Sequence, residues 1–283
     1  MTAVRRTSAG GPIDLMISDI DGTLVTPDRI LTPLAIAAVR RLGEAGVGFT
    51  LISSRPPRGM AALIRALDVR LPFAGFNGAN LAVPQGALLR RHTLSPAAAR
   101  TMLALLEGRG IEVWVFADGD WRLRDPGGVN VDRERQAVGF DPVVVQDFDD
   151  VVARIDKIVG VSNDRAILAQ VEAEARARLG VEAVVERSQP YYLDATHPLA
   201  NKGDAVKALC RLIGVAPARA AVIGDMFNDT AMFAVAGLSI AMGQAPAAVK
   251  ARADVVTAGN DADGFAQAVD RLVLGRRATE SAA

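Results

Sequence analysis

Short apolar runs alternate with helical periodicities along the first part of the chain. Residues 13–18 and 47–52 are apolar runs of strand length. Between them, Thr32-Pro33 is a hydroxyl cap followed by proline, and a glycine at 43 ends the helical pattern. Strands that alternate with amphipathic helices are typical of a parallel sheet covered by helices. We therefore predict an α/β fold.

The same alternation returns near the end of the chain, so the two parts are predicted to form one Rossmann-like parallel-sheet core. Helical periodicity covers residues 204–213 and 265–274, and Gly214 closes the first of these helices. The further predicted core strands are residues 71–76, 220–223, 238–242 and 254–257.

The middle of the chain predicts a different unit. Asp118-Gly119 is a two-residue hairpin signal between the apolar runs 112–117 and 120–124. Further strands are predicted at 157–161 and 181–187, with helices at 96–107 and 166–179. We interpret residues 90–195 as an α+β domain inserted into a core formed by 13–89 and 196–283, preceded by a flexible tail at 1–12.

Composition excludes several classes of function. Lys plus Arg and Asp plus Glu both number 32 in the 283 residues, so the net charge is zero and no global field attracts nucleic acid or an anionic membrane. No apolar run reaches the ~18 residues that a membrane span needs. The single cysteine, Cys210, excludes an intramolecular disulfide and fits a reducing compartment. We expect a cytoplasmic protein, with its oligomeric state open.

Polar residues stand where the predicted core strands end. Asp19, Ser53, Asn77 and Asp225 each follow an apolar run. The carboxyl ends of parallel strands form the ligand crevice of an open α/β sheet. Each residue alone is an ordinary loop starter, but together they predict a site.

The segment Asp19-Ile20-Asp21-Gly22-Thr23-Leu24 carries the most chemistry. One aspartate can accept a phosphoryl group as an acyl phosphate, and a second can protonate the leaving oxygen and then activate water. Gly22 allows the backbone to turn so that its amides face an anion. An acidic turn with a capping role remains the alternative.

A second acidic cluster contains Asp225, Asn228 and Asp229. Carboxylates that face Asp19 would repel it unless a cation lies between them, and Mg²⁺ prefers such oxygen ligands. Favourable acids at a helix N-terminus are the alternative. Lys202, at a predicted helix start, is either a phosphate-binding charge or a solvated lysine.

In order, these motifs resemble the haloacid dehalogenase-like (HAD) superfamily, in particular its Cof-like phosphatase branch with the larger α/β cap. The resemblance covers nearly all of the chain after the tail and implies a magnesium-dependent phosphatase. The motifs are Asp19-Ile20-Asp21-Gly22-Thr23-Leu24, Ser53-Ser54-Arg55, Asn77-Gly78-Ala79, Asn201-Lys202-Gly203 and Gly224-Asp225 with Asn228-Asp229.

The resemblance also implies residue roles. Asp19 would be the nucleophile and a Mg²⁺ ligand, and Asp21 the acid/base with its backbone carbonyl on the metal. Asp225 would be the third ligand, with Asp229 beside it in the first or second shell. The residues expected to contact or shape the phosphate site are Ser53, Lys202, Asn228, Gly22 and Asn77.

The substrate is expected to be a small phosphorylated metabolite, a sugar phosphate or a phosphorylated cofactor. Arg124 and Arg187 stand in cap loops that are predicted to cover the leaving group, with hinges near 84–91 and 190–197. Two alternatives remain open: a phosphotransferase or mutase on the same core, and a phospho-acceptor module without enzymatic activity.

Overall fold

The computed structural model describes residues 11–275, so residues 1–10 of the predicted tail lie outside it. The strands are β1 (Leu15–Ser18), β2 (Gly48–Leu51), β3 (Phe73–Gly75), β4 (Asn80–Ala82), β5 (Leu88–Arg91), β6 (Glu112–Ala117), β7 (Asp120–Leu123), β8 (Val143–Val144), β9 (Ile155–Val161), β10 (Val184–Gln189), β11 (Tyr192–Thr196), β12 (Ala220–Gly224), β13 (Leu238–Ala241) and β14 (Val255–Val256). The helices are α1 (Pro33–Glu44), α2 (Pro57–Ala66), α3 (Pro96–Glu107), α4 (Val131–Val138), α5 (Arg165–Leu179), α6 (Lys202–Ile213), α7 (Thr230–Phe233), α8 (Ala247–Lys250) and α9 (Gly264–Ala268), which a π-helical turn extends to Leu274.

The core is a parallel sheet in the order β14-β13-β12-β1-β2. Alternate residues of β1 pack on opposite faces: Met16 joins the cluster beneath α1 and α2, whereas Leu15 and Ile17 join the cluster beneath α6 and α7. Burial on both faces explains why the sequence shows continuous apolar runs here. The predicted α/β core is confirmed.

The inserted segment forms a mainly antiparallel sheet in the order β10-β11-β9-β6-β7-β8. Asp118 and Gly119 both have positive φ, +56° and +86°, and join β6 to β7 as the sequence predicts. Helices α3 and α5 cover the outer face of this sheet. The inner face carries buried aromatic residues, among them Trp114 and Trp121, beneath α4.

The connections between core and cap contain regular structure, and their action as hinges stays a prediction. The expected hinges at 84–91 and 190–197 contain the paired strands β5 and β11, so their backbones are held by ladder hydrogen bonds. His92 and His197 follow these strands, and their rings stack with centroids 4.7 Å apart. The domain boundaries at 90 and 195 stay a prediction.

Within residues 11–275, no helix combines the length and the apolar character that crossing a bilayer requires.

A tight turn after β3 generates the first testable prediction. Gly78 has φ +98°, and a Cβ there would collide with Ala205 of α6. Gly86 has a similar φ of +95° with open space around it. We expect Gly78→Ala to lower the free energy of unfolding by about 2–4 kcal/mol, backbone strain plus overpacking, and Gly86→Ala by about 1 kcal/mol, strain alone. Denaturant titration measures both; equal losses would contradict the collision.

Candidate active site

The site begins where adjacent parallel strands end. Asp19 follows β1 and Asp225 follows β12, and the amide of Asp19 donates to the carbonyl of Ile223 at 3.0 Å. Because the two strands pair in register, their next residues emerge side by side. Carboxylate oxygens of Asp19, Asp225 and Asp229 lie within 4.8 Å of one another, and all three residues are buried.

The turn after Asp19 depends on Gly22. Its φ is +80°, and a Cβ at this position would collide with the carboxylate of Asp225. The Gly22 carbonyl accepts from Gln244 Nε2 at 2.5 Å, and the Thr23 hydroxyl points toward Asp225 Oδ1 at 3.5 Å. The glycine therefore gives the turn its conformation and leaves room for the second aspartate.

Lys202 connects the acidic groups. It is the first residue of α6, and Asn201 caps that helix by accepting from the amide of Asp204 at 2.9 Å. The Lys202 ammonium is buried and donates to Asp19 Oδ1 at 2.6 Å and to Asp229 Oδ1 at 2.5 Å. The alternative that Lys202 is a solvated surface lysine is therefore wrong.

Asp229 holds the loop after β12. Its Oδ2 accepts from the amides of Asp225 at 2.8 Å and Met226 at 2.9 Å, while Oδ1 takes the Lys202 ammonium. A Cβ at Gly224 would collide with this carboxylate, so the preceding glycine permits the approach. Protein donors thus contact both oxygens of Asp229, which ties this carboxylate to Lys202 and to the loop after β12.

Negative charge exceeds positive charge at this site. Burial, opposed by Lys202 and reinforced by Asp229 and Asp225, raises the pKa of Asp19 well above its usual range. Burial and then the charge of Asp229 raise the pKa of Asp225 to about 7. Burial would lower the pKa of Lys202, but Asp19 and Asp229 outweigh it and raise it. A divalent cation bound by oxygen ligands would relieve this repulsion, so the donor set fits Mg²⁺.

Asp21 lies on the outer side of the same turn. Arg55 donates to both of its carboxylate oxygens, Nε to Oδ2 at 2.7 Å and Nη2 to Oδ1 at 2.6 Å. The sequence motif Ser53-Ser54-Arg55 contains this arginine, but sequence reasoning gave it no role. No local sequence pattern indicates this pair, because the two residues are 34 positions apart and only the fold brings them into bidentate contact.

The remaining predicted residues lie around this centre. Ser53 is buried, and its hydroxyl accepts from the amide of Arg55 at 3.1 Å, as a local cap would. Asn77 adopts a left-handed conformation with φ +54°. Its Oδ1 accepts from Asn228 at 3.1 Å, and its Nδ2 donates to Glu186 of the cap at 3.1 Å.

A cavity of about 290 Å³ opens between these residues and the cap. Arg187 is part of its lining and pairs with Glu172. Arg124 is not: its guanidinium pairs with Glu107 and lies over the Phe148 ring, so the prediction that it covers the leaving group is wrong. The lining consists of Asp19, Asp21, Ser54, Glu172, Arg176, residues 186–189 and residues 225–228.

A family model described as haloacid dehalogenase-like hydrolase matches residues 16–269, which span the parallel sheet, the cap and every acidic residue discussed above. The chain belongs to this family. The resemblance inferred from the ordered motifs is confirmed.

Individual members of the family support an enzymatic activity. The chain is 28% identical to the HMP-PP phosphatase of Cronobacter sakazakii, covering 80% of this chain and 83% of the relative. It is 26% identical to the pyridoxal phosphate phosphatase of Escherichia coli, with coverages of 88% and 94%. A haloacid dehalogenase-like hydrolase from Bacteroides thetaiotaomicron superposes with a TM-score of 0.84 at 25% identity, covering 92% and 99%. This HAD-family chain is therefore a phosphatase, and a phospho-acceptor module without activity is rejected.

The buried ammonium gives a stability prediction for the metal-free protein. Lys202→Met would leave Asp19 and Asp229 facing each other without a counter-charge, so we expect a loss of about 3–5 kcal/mol in the free energy of unfolding. Lys207→Met, on the same helix, removes only an exposed pair with Asp204 and should cost less than about 1 kcal/mol. Denaturant titration in chelator compares the two; similar losses would rule out a special role for the buried charge.

Proposed function

We propose that this phosphatase hydrolyses phosphomonoesters of small metabolites through an aspartyl-phosphate on Asp19. The observation that carries the proposal is the buried acidic centre, in which Asp19 and Asp225 share one edge of the sheet and Lys202 lies between Asp19 and Asp229. A phosphate group brought to this edge would meet a nucleophilic oxygen and a buried cation together.

In the first half-reaction, a carboxylate oxygen of Asp19 attacks phosphorus, and the bond from phosphorus to the ester oxygen breaks. Asp21 transfers a proton to that oxygen, which leaves as an alcohol. Arg55 donates one hydrogen bond to each oxygen of Asp21, so the proton that Asp21 transfers must occupy a lone pair that Arg55 leaves free.

In the second half-reaction, Asp21 takes a proton from water while the water oxygen attacks phosphorus. The bond to Asp19 breaks, which releases inorganic phosphate and restores the carboxylate. Lys202 stays against Asp19 throughout and balances the charge on the phosphoryl oxygens. Ser53, once released from its cap, and Asn228 supply further polar contacts.

Mg²⁺ held by Asp19, Asp225 and the Asp21 carbonyl, with Asp229 behind them, would neutralise charge that develops on the phosphoryl oxygens. The surplus of acidic groups and the close approach of the Asp19, Asp225 and Asp229 carboxylates support this assignment.

The relatives named as phosphatases of HMP-PP and of pyridoxal phosphate support a small phosphorylated metabolite as the substrate. Transfer of the phosphoryl group to a sugar is the remaining alternative. Burst kinetics with and without an acceptor sugar separates transfer from hydrolysis.

The metal assignment predicts that turnover of an aryl phosphate depends on a divalent cation. Chelation should abolish turnover, because the clustered carboxylates then repel the phosphate, and Mg²⁺ should restore it. Phosphate release is measured before and after adding the metal back. Full activity in excess chelator would reject the metal.

Substitutions of Asp19 and of Asp21 should have different kinetic effects. Asp19→Asn should reduce activity to background, because no acyl phosphate can form. Asp21→Asn should lower turnover by about 10²–10⁴-fold, since it removes acid–base help. With a nitrophenolate leaving group, which needs little protonation, the first step should suffer less and a phosphoenzyme should accumulate.

Quenched-flow trapping of labelled phosphoenzyme, together with steady-state rates, tests this separation. Undiminished turnover in Asp19→Asn would reject the nucleophile.

A further inference from the structure

A pair of carboxylates lies on the inner face of the cap. Glu186 of β10 and Asp194 of β11 are direct cross-strand partners. Like charges at opposed positions of an antiparallel pair destabilise a sheet. Consistent with this, burial and then Asp194 raise the pKa of Glu186. The sheet therefore tolerates an unfavourable pair at the place where the cap faces the core.

The carboxylate pair has too few hydrogen-bond donors. Asp194 Oδ2 accepts from Lys157 Nζ at 2.8 Å, and Glu186 Oε1 accepts from Asn77 Nδ2 at 3.1 Å. Asp194 Oδ1 is buried and has no hydrogen-bond partner among residues 11–275. Glu186 is only half-buried, and within the same residues its Oε2 accepts no hydrogen bond. This oxygen is therefore open to a donor from outside the protein, either water or a ligand.

Glu186 lines the same cavity as Asp19 and Asp21. One residue connects Glu186 to the phosphate site: the amide of Asn77 donates to Glu186 through its nitrogen and accepts from Asn228 through its oxygen. A ligand whose phosphate lies against Asp19 would therefore direct its leaving group toward Glu186.

The cationic groups of the cavity roof are already partnered. Arg176 and Arg187 both pair with Glu172, at 2.8 and 2.9 Å. Among residues 11–275, Glu186 forms no ion pair, and its hydrogen bond is to the neutral amide of Asn77. The charges of Lys202, Lys157 and Arg176 act on it only from a distance and lower its pKa less than burial and Asp194 raise it. The acceptor that the roof offers to a leaving group is therefore the carboxylate of Glu186, which lies beside the carboxylate of Asp194.

We propose that Glu186 is the residue through which the cap recognises the leaving group, and that this group presents an uncharged or positively charged hydrogen-bond donor, a hydroxyl or an ammonium, to its carboxylate. The inference rests on the proposed phosphatase function and specifies the substrate class. A leaving group that carries a second negative charge is disfavoured at this position.

The test compares four phosphate esters with wild-type protein and Glu186 variants in Mg²⁺. Sorbitol 6-phosphate offers hydroxyls, phosphoethanolamine offers an ammonium, 3-phosphoglycerate brings a carboxylate, and acetyl phosphate has no donor. Glu186→Ala should lower kcat/KM for the donor that the site uses by about 10- to 100-fold, as expected for a hydrogen bond to a charged group. Acetyl phosphate should change by less than about threefold, since it offers this residue nothing to bind.

Glu186→Gln distinguishes the two donors and preserves the shape of the side chain. An ester with a hydroxyl still finds an acceptor in the amide, so its kcat/KM should fall less than in Glu186→Ala. An ester with an ammonium loses its counter-charge, so its kcat/KM should fall about as far as in Glu186→Ala. Glu186→Lys should raise the ratio of 3-phosphoglycerate to the preferred ester. Glu182→Gln, an exposed acid just before β10, is the matched control and should leave all four values unchanged.

Two results would overturn the proposal. One is a Glu186→Ala variant that reduces all four substrates, acetyl phosphate included, by the same factor. The other is a wild-type preference for 3-phosphoglycerate over both donor-bearing esters. Failure of the wild-type protein to hydrolyse any ester, acetyl phosphate included, would instead count against the proposed function.

Discussion

The buried ammonium of Lys202 is the interaction on which the site depends. It joins Asp19, 183 residues earlier in the chain, to Asp229, 27 residues later. One cation cannot balance the surrounding carboxylates. Burial first, and then the neighbouring carboxylates, raise the pKa values of Asp19 and Asp225. Such a centre is stable when a further cation or a protonated carboxyl completes it. The same imbalance that limits stability therefore prepares the site for metal and phosphate.

Glycines make this density of charge possible. Gly22 and Gly224 leave space that the carboxylates of Asp225 and Asp229 fill, and Gly203 allows α6 to approach the Ala231 carbonyl. In each case a Cβ would stand where a neighbouring polar atom lies. The short motifs around the aspartates thus combine groups that react with residues that permit close approach.

Much of the core could be predicted from the sequence because its strands are buried on both faces and read as continuous apolar runs. Helix α3 spans residues 96–107 as predicted, and the structure adds Ser95 as its cap. Helix α2 was missed because Pro56 supplies no side-chain cap, and α4 because its exposed residues hide the buried pair Val131 and Val138. Strand ends predicted that Asp19 and Asp225 meet, but the pairing of Arg55 with Asp21 joins loops that no local pattern connects.

The contacts of Asn77 depend on an unusual backbone conformation that the sequence did not predict. Phe76, Asn77 and Gly78 all have positive φ, and only the last is a glycine. Non-glycine residues adopt this conformation at a cost, and asparagine tolerates it better than most. The turn directs one buried amide toward both Asn228 of the core and Glu186 of the cap. A change in the position of the cap over a substrate would therefore move the hydrogen-bond partner of Asn228, which is three residues from Asp225. This chain of hydrogen bonds links recognition of the leaving group to the chemistry at the sheet edge.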